Sequence, residues 1–216
     1  MTHPSSPGAM LDRVPLFPTR RAEHIMAMPA IKRRWTAREV RQLIADNPLQ
    51  TPRYELVDGE LLVTPSPIAV HQRAVIQLWK ALDMYLTRCP VGDAYTSPFD
   101  VELEPETVTQ PDVFVVPPHE AKRILTELPA RELLVVSEVL SPSSQRHDKV
   151  TKRDVYQRHV PEYWIVDLEA RLFERWRPAE ERPEIVIQAL EWSPVGAAEP
   201  FRLDLPRYFA KVFAEG

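Results

Sequence analysis

The chain has 216 residues, 44% of them hydrophobic and 27% charged, a formal net charge of −4 and one cysteine. Such a length and balance suit a single globular domain with a sizeable core and exclude a disordered chain. The acidic balance argues against a chain that coats nucleic acid nonspecifically, though not against a nuclease, and no apolar run approaches the roughly 20 residues that span a bilayer. No membrane partner is therefore expected. The N-terminus lacks a compact apolar h-region, and Cys89 alone cannot form an internal disulfide. Together these predict a reducing, cytoplasmic location.

Residues 1–30 are rich in Pro, Ser and Arg without a sustained period, which predicts a flexible extension before a single domain over 31–216. Thr36 followed by Glu39 reads as a capping box opening a short helix through about Ile44. Runs at 53–57 and 60–64 flank Asp58-Gly59, a strong hairpin signal. From Ile68 to about Arg88, Val75, Leu78, Trp79, Leu82, Tyr85 and Leu86 recur at three and four, predicting one long amphipathic helix. Alternation of Phe99, Val101 and Leu103 with acids predicts a half-exposed strand. More continuous apolar runs at 112–116 and 133–140 predict central strands. A helix is expected from about Ser144 or Asp148 to His159, then strands at 163–166, 172–176 and about 185–190, and a last helix near 205–212. The order predicts an α/β fold, a mixed central β-sheet flanked by helices.

Two acids lie within the central runs: Asp112 in Gln-Pro-Asp-Val-Phe-Val-Val and Glu138 in Leu-Leu-Val-Val-Ser-Glu-Val-Leu. An ionised carboxylate buried alone costs several kcal/mol or more, so each must be protonated, paired or on a cation. The plainer alternative is an acid that ends a strand or pairs with an arginine. Lys152 follows on the next helical segment. Two acids and a lysine around the middle of one sheet are the parts of a metal-dependent phosphodiesterase site. Mg²⁺, with Mn²⁺ as its substitute, favours a few carboxylates plus waters and substrate oxygens.

Asp148, Lys152, Tyr156 and His159 recur at three or four residues and share a helix face, with Lys149 on a different one. An exposed Asp148–Lys152 pair would contribute only about 0.3–0.5 kcal/mol. With five glycines the chain holds no phosphate-cradling P-loop or dinucleotide fingerprint. It also lacks a Cys-x-x-Cys pair and a G-x-S-x-G nucleophile elbow.

The motifs Tyr-Glu-Leu-Val-Asp-Gly-Glu (54–60), Pro-Ser-Pro with His71, Gln-Pro-Asp (110–112) and Ser-Glu-Val-Leu-Ser-Pro-Ser (137–143) follow one another in order. Asp148, Lys152, Tyr156 and Val-Pro-Glu-Tyr-Trp-Ile-Val-Asp (160–167) complete the series. Over roughly 36–210 the chain resembles the Uma-type family of restriction endonucleases in the PD-(D/E)XK superfamily. The resemblance implies a restriction endonuclease-like core and a Mg²⁺-dependent endonuclease, with DNA the favoured substrate. Because one such site serves one strand at a time, and two-fold dimers are the commonest assembly, a homodimer buried partly through residues 200–213 is expected. The resemblance also implies Asp112 and Glu138 as metal ligands with the backbone carbonyl of Val139, Glu55 as a supporting acid, and His71 beside the acids.

The superfamily's Glu-X-Lys is absent, because Leu140 stands two residues after Glu138. Lys152 is the expected substitute. For Glu55 the alternative is an exposed strand residue, and for His71 a surface or cap contact. Phe201, Tyr208, Phe209 and Phe213 form the expected dimer surface. The rival to an enzyme is a catalytically inactive module that keeps the fold for binding or assembly. A metal-dependent hydrolase of another phosphate ester is a third reading.

Overall fold

The computed structural model describes residues 33–49, 51–141 and 145–214. The expected N-terminal extension, 1–30, lies outside them, as does Ser144. Helix α1 (Ala37–Ala45) opens on the capping box: the Thr36 hydroxyl accepts the Glu39 N–H, and the Glu39 carboxylate accepts the Thr36 N–H at 2.9 Å. Strands β1 (Arg53–Val57) and β2 (Glu60–Thr64) form the predicted hairpin. Its turn residues, Asp58 and Gly59, both take positive φ, the twist that two-residue hairpins require. Helix α2 (Ala69–Arg88) follows.

Strand β3 (Asp93–Thr96) enters the sheet straight after Gly92, where a Cβ would run into the Val116 carbonyl oxygen. Only glycine lets the backbone approach that closely. Next come β4 (Val101–Glu104), β5 (Thr107–Thr109), β6 (Val113–Val116), α3 (Pro118–Ile124) and β7 (Val135–Val139). A π-helical turn, His147–Lys152, runs directly into α4 (Arg153–His159). The chain ends in β8 (Tyr163–Asp167), β9 (Leu172–Trp176), β10 (Glu184–Val186), β11 (Ala189–Trp192), β12 (Phe201–Asp204) and α5 (Leu205–Phe213).

The main sheet has six strands in the order β10-β9-β8-β7-β6-β3. Its β7–β8 pair is parallel and its other pairs are antiparallel, so the sheet is mixed as expected. Alternation at period two sorts the central residues to opposite faces. Val113, Val115, Trp164 and Val166 pack with α2 and α5, whereas Phe114, Val116, Tyr163 and Ile165 pack with α3 and Tyr156 of α4. Aromatic side chains bury roughly 150–250 Å² each, a gross stabilisation of about 4–6 kcal/mol apiece at ~25 cal/mol/Å². A four-stranded sheet, β2-β1-β5-β4, holds the first hairpin beside this core.

Three expectations change. The strand expected near 185–190 divides between β10 and β11, which lie in different sheets. The chain turns there because Gln188 gives its carbonyl to the Leu205 N–H, leaving Ile187 exposed. Second, α3 and the short strands β3, β5 and β12 carry too few residues to show a period. Third, the aromatic segment expected at a dimer surface is used inside the protomer. Phe201, Tyr208 and Phe209 are buried in the α2–α5 core and Phe213 packs against it, so they offer no dimer surface. Among the described residues, no helix is long and apolar enough to cross a membrane.

Candidate active site

Five segments deliver the five predicted residues to one buried point. Asp112 sits just before β6, where the turn through Gln110 and Pro111 is held by the Gln110 N–H donating to Glu55 Oε1 at 2.8 Å. Glu138 lies on β7, whose alternation turns it to the α4 side of the sheet. Lys152 closes the π-helical turn, a wider geometry often found at functional positions. Glu55 belongs to β1, and His71 to the first turn of α2. Glu55, Asp112, Glu138 and Lys152 are each at most 2% exposed. Burial decides against an exposed strand residue for Glu55, and the inward position of His71 decides against a surface contact.

Lys152 Nζ lies 2.9 Å from Glu55 Oε2, 3.0 Å from Glu138 Oε1 and 3.3 Å from Asp148 Oδ1. The Asp148–Lys152 pair is thus the reverse of a solvated helix pair. Tyr156 donates its hydroxyl to Glu138 Oε1 at 3.2 Å. Asp112 Oδ1 takes an N–H of Arg53 at 3.0 Å, and Asp112 Oδ2 takes the Val139 N–H at 2.9 Å. His71 Nε2 is 3.0 Å from the Val139 carbonyl oxygen and 3.2 Å from Asp112 Oδ2. Both neighbours are acceptors, which assigns the proton to Nε2. Lys149 turns away to Glu174, 2.7 Å off, and takes no part.

The charges do not balance. Among the described residues, Glu55, Asp112 and Glu138 face Lys152 and Arg53 as permanent cations, and Asp148 also reaches Lys152. With all three ionised, one negative charge is left over in a buried site. Burial would raise the Asp112 pKa, but Arg53 and His71 outweigh it and hold the carboxyl well below its usual range. Burial likewise opposes ionisation of Glu55, and the Lys152 and Arg53 charges reverse that. Glu138 goes the other way. Burial raises it, Lys152 opposes, and the charges of Asp112, Asp148 and Glu55 add to the rise. Burial would lower Lys152, but its three carboxylates hold it cationic.

Buried carboxylates with surplus negative charge and oxygen donors suit a divalent cation. Asp112, Glu138 and the Val139 carbonyl could hold it, oxygen ligands of the kind that Mg²⁺ and Mn²⁺ favour. Among the described residues, no three His, Cys, Asp or Glu side chains form a ready-made metal cage. Two acids and a backbone carbonyl therefore make an open site. The His71 N–H bridges two of those three oxygens, so a cation there would have to take over its contacts. A cleft of about 490 Å³ reaches Asp112, His71 and Arg53, between walls that include Pro65, Pro67 and Pro98. Glu138 and Lys152 are not among its lining residues.

The Uma2 family model, described as "Putative restriction endonuclease", matches residues 38–205, most of the chain. The chain belongs to the Uma2 family. A crystal structure from Anabaena variabilis, described as "a putative nuclease belonging to DUF820", superposes with a TM-score of 0.62 at 22% identity. The match covers 74% of this chain and 92% of that one, and it shows that the two share a restriction endonuclease-like fold. No curated protein matches the sequence.

All five predicted side chains of the Uma2 chain converge. Sequence reasoning missed Arg53 and assigned no role to Asp148. Period two places Arg53 and Glu55 on one face of β1, which was the available signal for the first. Four-residue spacing to Lys152 was the signal for the second.

Opposed pKa shifts give the site a pH signature. A carboxyl raised above its unfolded value binds its proton more tightly when folded, so Glu138 stabilises fully below the ordinary carboxylate range. That contribution is lost as pH rises through the folded pKa. Asp112 and Glu55 run the other way, stabilising above that range and failing as pH falls through their depressed values. In EDTA the melting temperature should pass through a maximum in mild acid and then decline, and Mg²⁺ should flatten the decline by replacing the Glu138 proton. A metal-free melting temperature that climbs steadily into alkali would contradict a protonated Glu138.

Proposed function

We propose that this protein is a Mg²⁺-dependent endonuclease that hydrolyses phosphodiester bonds, with DNA its substrate. The observation that carries the proposal is Lys152 Nζ 3.0 Å from Glu138 Oε1, while the other Glu138 oxygen lies 3.4 Å from the Asp112 N–H nitrogen. This position makes good the lysine missing two residues after Glu138. Asp112, Glu138 and the Val139 carbonyl are the proposed metal ligands. The cation, when bound, would supply electrophilic stabilisation of the phosphoryl oxygens and a lowered pKa for an attacking water.

The chain's own groups do the rest. Lys152, kept cationic by three carboxylates, orients water and offsets negative charge growing at phosphorus. Tyr156 and Glu55 fix the positions of Glu138 and Lys152. Arg53 and the Val139 N–H lock the Asp112 rotamer. His71 lines the cleft beside Asp112, and its proposed role is to contact the scissile phosphate.

One observation favours the rival, an inactive module. Both Asp112 oxygens already have protein partners, and Lys152 is enclosed by acids. An ionic network of that kind can serve structure alone. Incubation of supercoiled plasmid and of single-stranded DNA and RNA with Mg²⁺, Mn²⁺ or EDTA separates the readings. Cleavage of DNA that requires the cation is expected, and no cleavage of any substrate in Mn²⁺ would leave the inactive module. Cutting both strands calls for two sites, so a homodimer accompanies the duplex reading, through a surface other than the C-terminal aromatics. The buried, unpaired Cys89 supports a cytoplasmic setting.

A further inference from the structure

A second cleft, of about 410 Å³, lies between α2 and the corner where β12 enters α5. Lys80 and Arg88 project from α2, Arg202 from β12, and Arg207 and Lys211 from α5, all exposed and all lining it. Five cations on one cleft are unexpected in a chain whose net charge is −4. Among the described residues the single acid in the lining is Asp204, whose carboxylate is engaged by the Arg207 N–H at the start of α5. On the rim, Glu199 and Glu191 pair with Arg88 and Arg202 at 3.5 and 3.4 Å, exposed contacts that salt screens readily. Lys80, Arg207 and Lys211 have no acidic partner among the described residues.

We propose that this cleft binds the sugar-phosphate backbone of the nucleic-acid substrate, delivering the strand to the acidic site. Its purpose rests on the nuclease reading above; its binding does not. Helix α2 joins the two places. His71 in its first turn reaches the acids, while Lys80 and Arg88 lie about 13 and 25 Å further along at 1.5 Å per residue. Arg73, exposed and two residues past His71, donates to the Lys211 carbonyl at 2.8 Å and continues the cationic track toward the site.

Charge logic supports the assignment. A cluster of buried acids repels a polyanion, so binding energy must come from cations placed away from the chemistry. The floor of the cleft includes Tyr85, Leu203 and Tyr208, apolar surface against which a sugar or base edge can rest. Three cations without acid partners are worth more to a phosphate than to the folded chain, since no intramolecular pair is broken on binding.

The test is anisotropy of a labelled single-stranded oligonucleotide, titrated with full-length protein in EDTA at several salt concentrations. The Lys80→Glu/Arg207→Glu/Lys211→Glu protein carries the altered cleft. A Lys122→Glu/Arg131→Glu/Arg182→Glu protein makes the same charge change at exposed positions outside it. The cleft variant should bind at least about tenfold more weakly, with a salt slope shallower by about 0.7 per lost contact, or about 2 in all. The control should stay near the native affinity. Equal binding by native and cleft variant, or equal loss in both variants, would overturn the proposal. So would stronger competition by polyglutamate than by unlabelled oligonucleotide, which would assign the cleft to an acidic protein. Cleavage in Mn²⁺ is read separately: weakened binding in the cleft variant without cleavage by native protein keeps the cleft and removes the nuclease. Cleavage with undiminished binding in the cleft variant does the converse.

Discussion

Lys152→Ala is expected to abolish phosphodiester cleavage and, without divalent cation, to destabilise the fold by about 3–5 kcal/mol. Both effects come from one ammonium group. It lies within 3.3 Å of Glu55, Glu138 and Asp148. Removing it leaves Glu138 facing the like charges of Asp112, Asp148 and Glu55, with Arg53 still 3.7 Å from Glu55. Some relief comes from further protonation of Glu138, whose pKa already stands high. A divalent cation should relieve the variant more than the native protein, because the empty ammonium position deepens the negative potential at Asp112 and Glu138. The Mg²⁺-induced rise in melting temperature should therefore be larger in Lys152→Ala than in native protein. Lys149→Ala should alter cleavage little, since Lys149 is bound to Glu174 outside the site. An active Lys152→Ala enzyme would remove this lysine from the mechanism. An inactive variant that melts like native protein would keep the chemistry and contradict the buried-charge argument.

Asp112→Asn should erase most of the melting-temperature increase given by Mg²⁺ or Mn²⁺ while the protein stays folded. Asparagine keeps the shape, and its carbonyl oxygen can still accept from Val139 N–H or from Arg53. What it loses is the charge that a hard cation requires. A metal ligand supports several kcal/mol of charge stabilisation in the transition state, so cleavage should fall by about 10³-fold or more. Arg53 is left with Glu55 at 3.7 Å as its remaining close carboxylate, and a modest loss of metal-free stability should follow. Calorimetric melts with and without cation, together with cleavage rates, measure both effects. A cation-induced shift of native size in Asp112→Asn would remove Asp112 from the metal site.

Much of this was legible in the chain. Helical spacing from Val75 to Leu86, the Asp58-Gly59 turn and the capping box at Thr36 are local signals, set by side-chain period and backbone preference within a few residues. They were read correctly for that reason. Asp112 and Glu138 were conspicuous because an acid within a β-branched run violates the burial rule and needs a partner. The ordered motifs then brought in Glu55, His71 and Lys152, and all five converge.

Sequence by itself determined the α/β elements, the family and the residue types of the site. Only the tertiary structure decided which charges meet. Arg53 and Asp112 are 59 positions apart, and Glu55 and Lys152 are nearly a hundred, so no period or turn signal links them. Their pairing follows from strand order, from the approach of β1 to the main sheet, and from the π-helical turn that carries Lys152 inward. The same holds for the C-terminal aromatics. Their hydrophobicity was plain in sequence, but apolar surface has no direction, and only packing showed that α2 and the sheet cover it rather than a second copy.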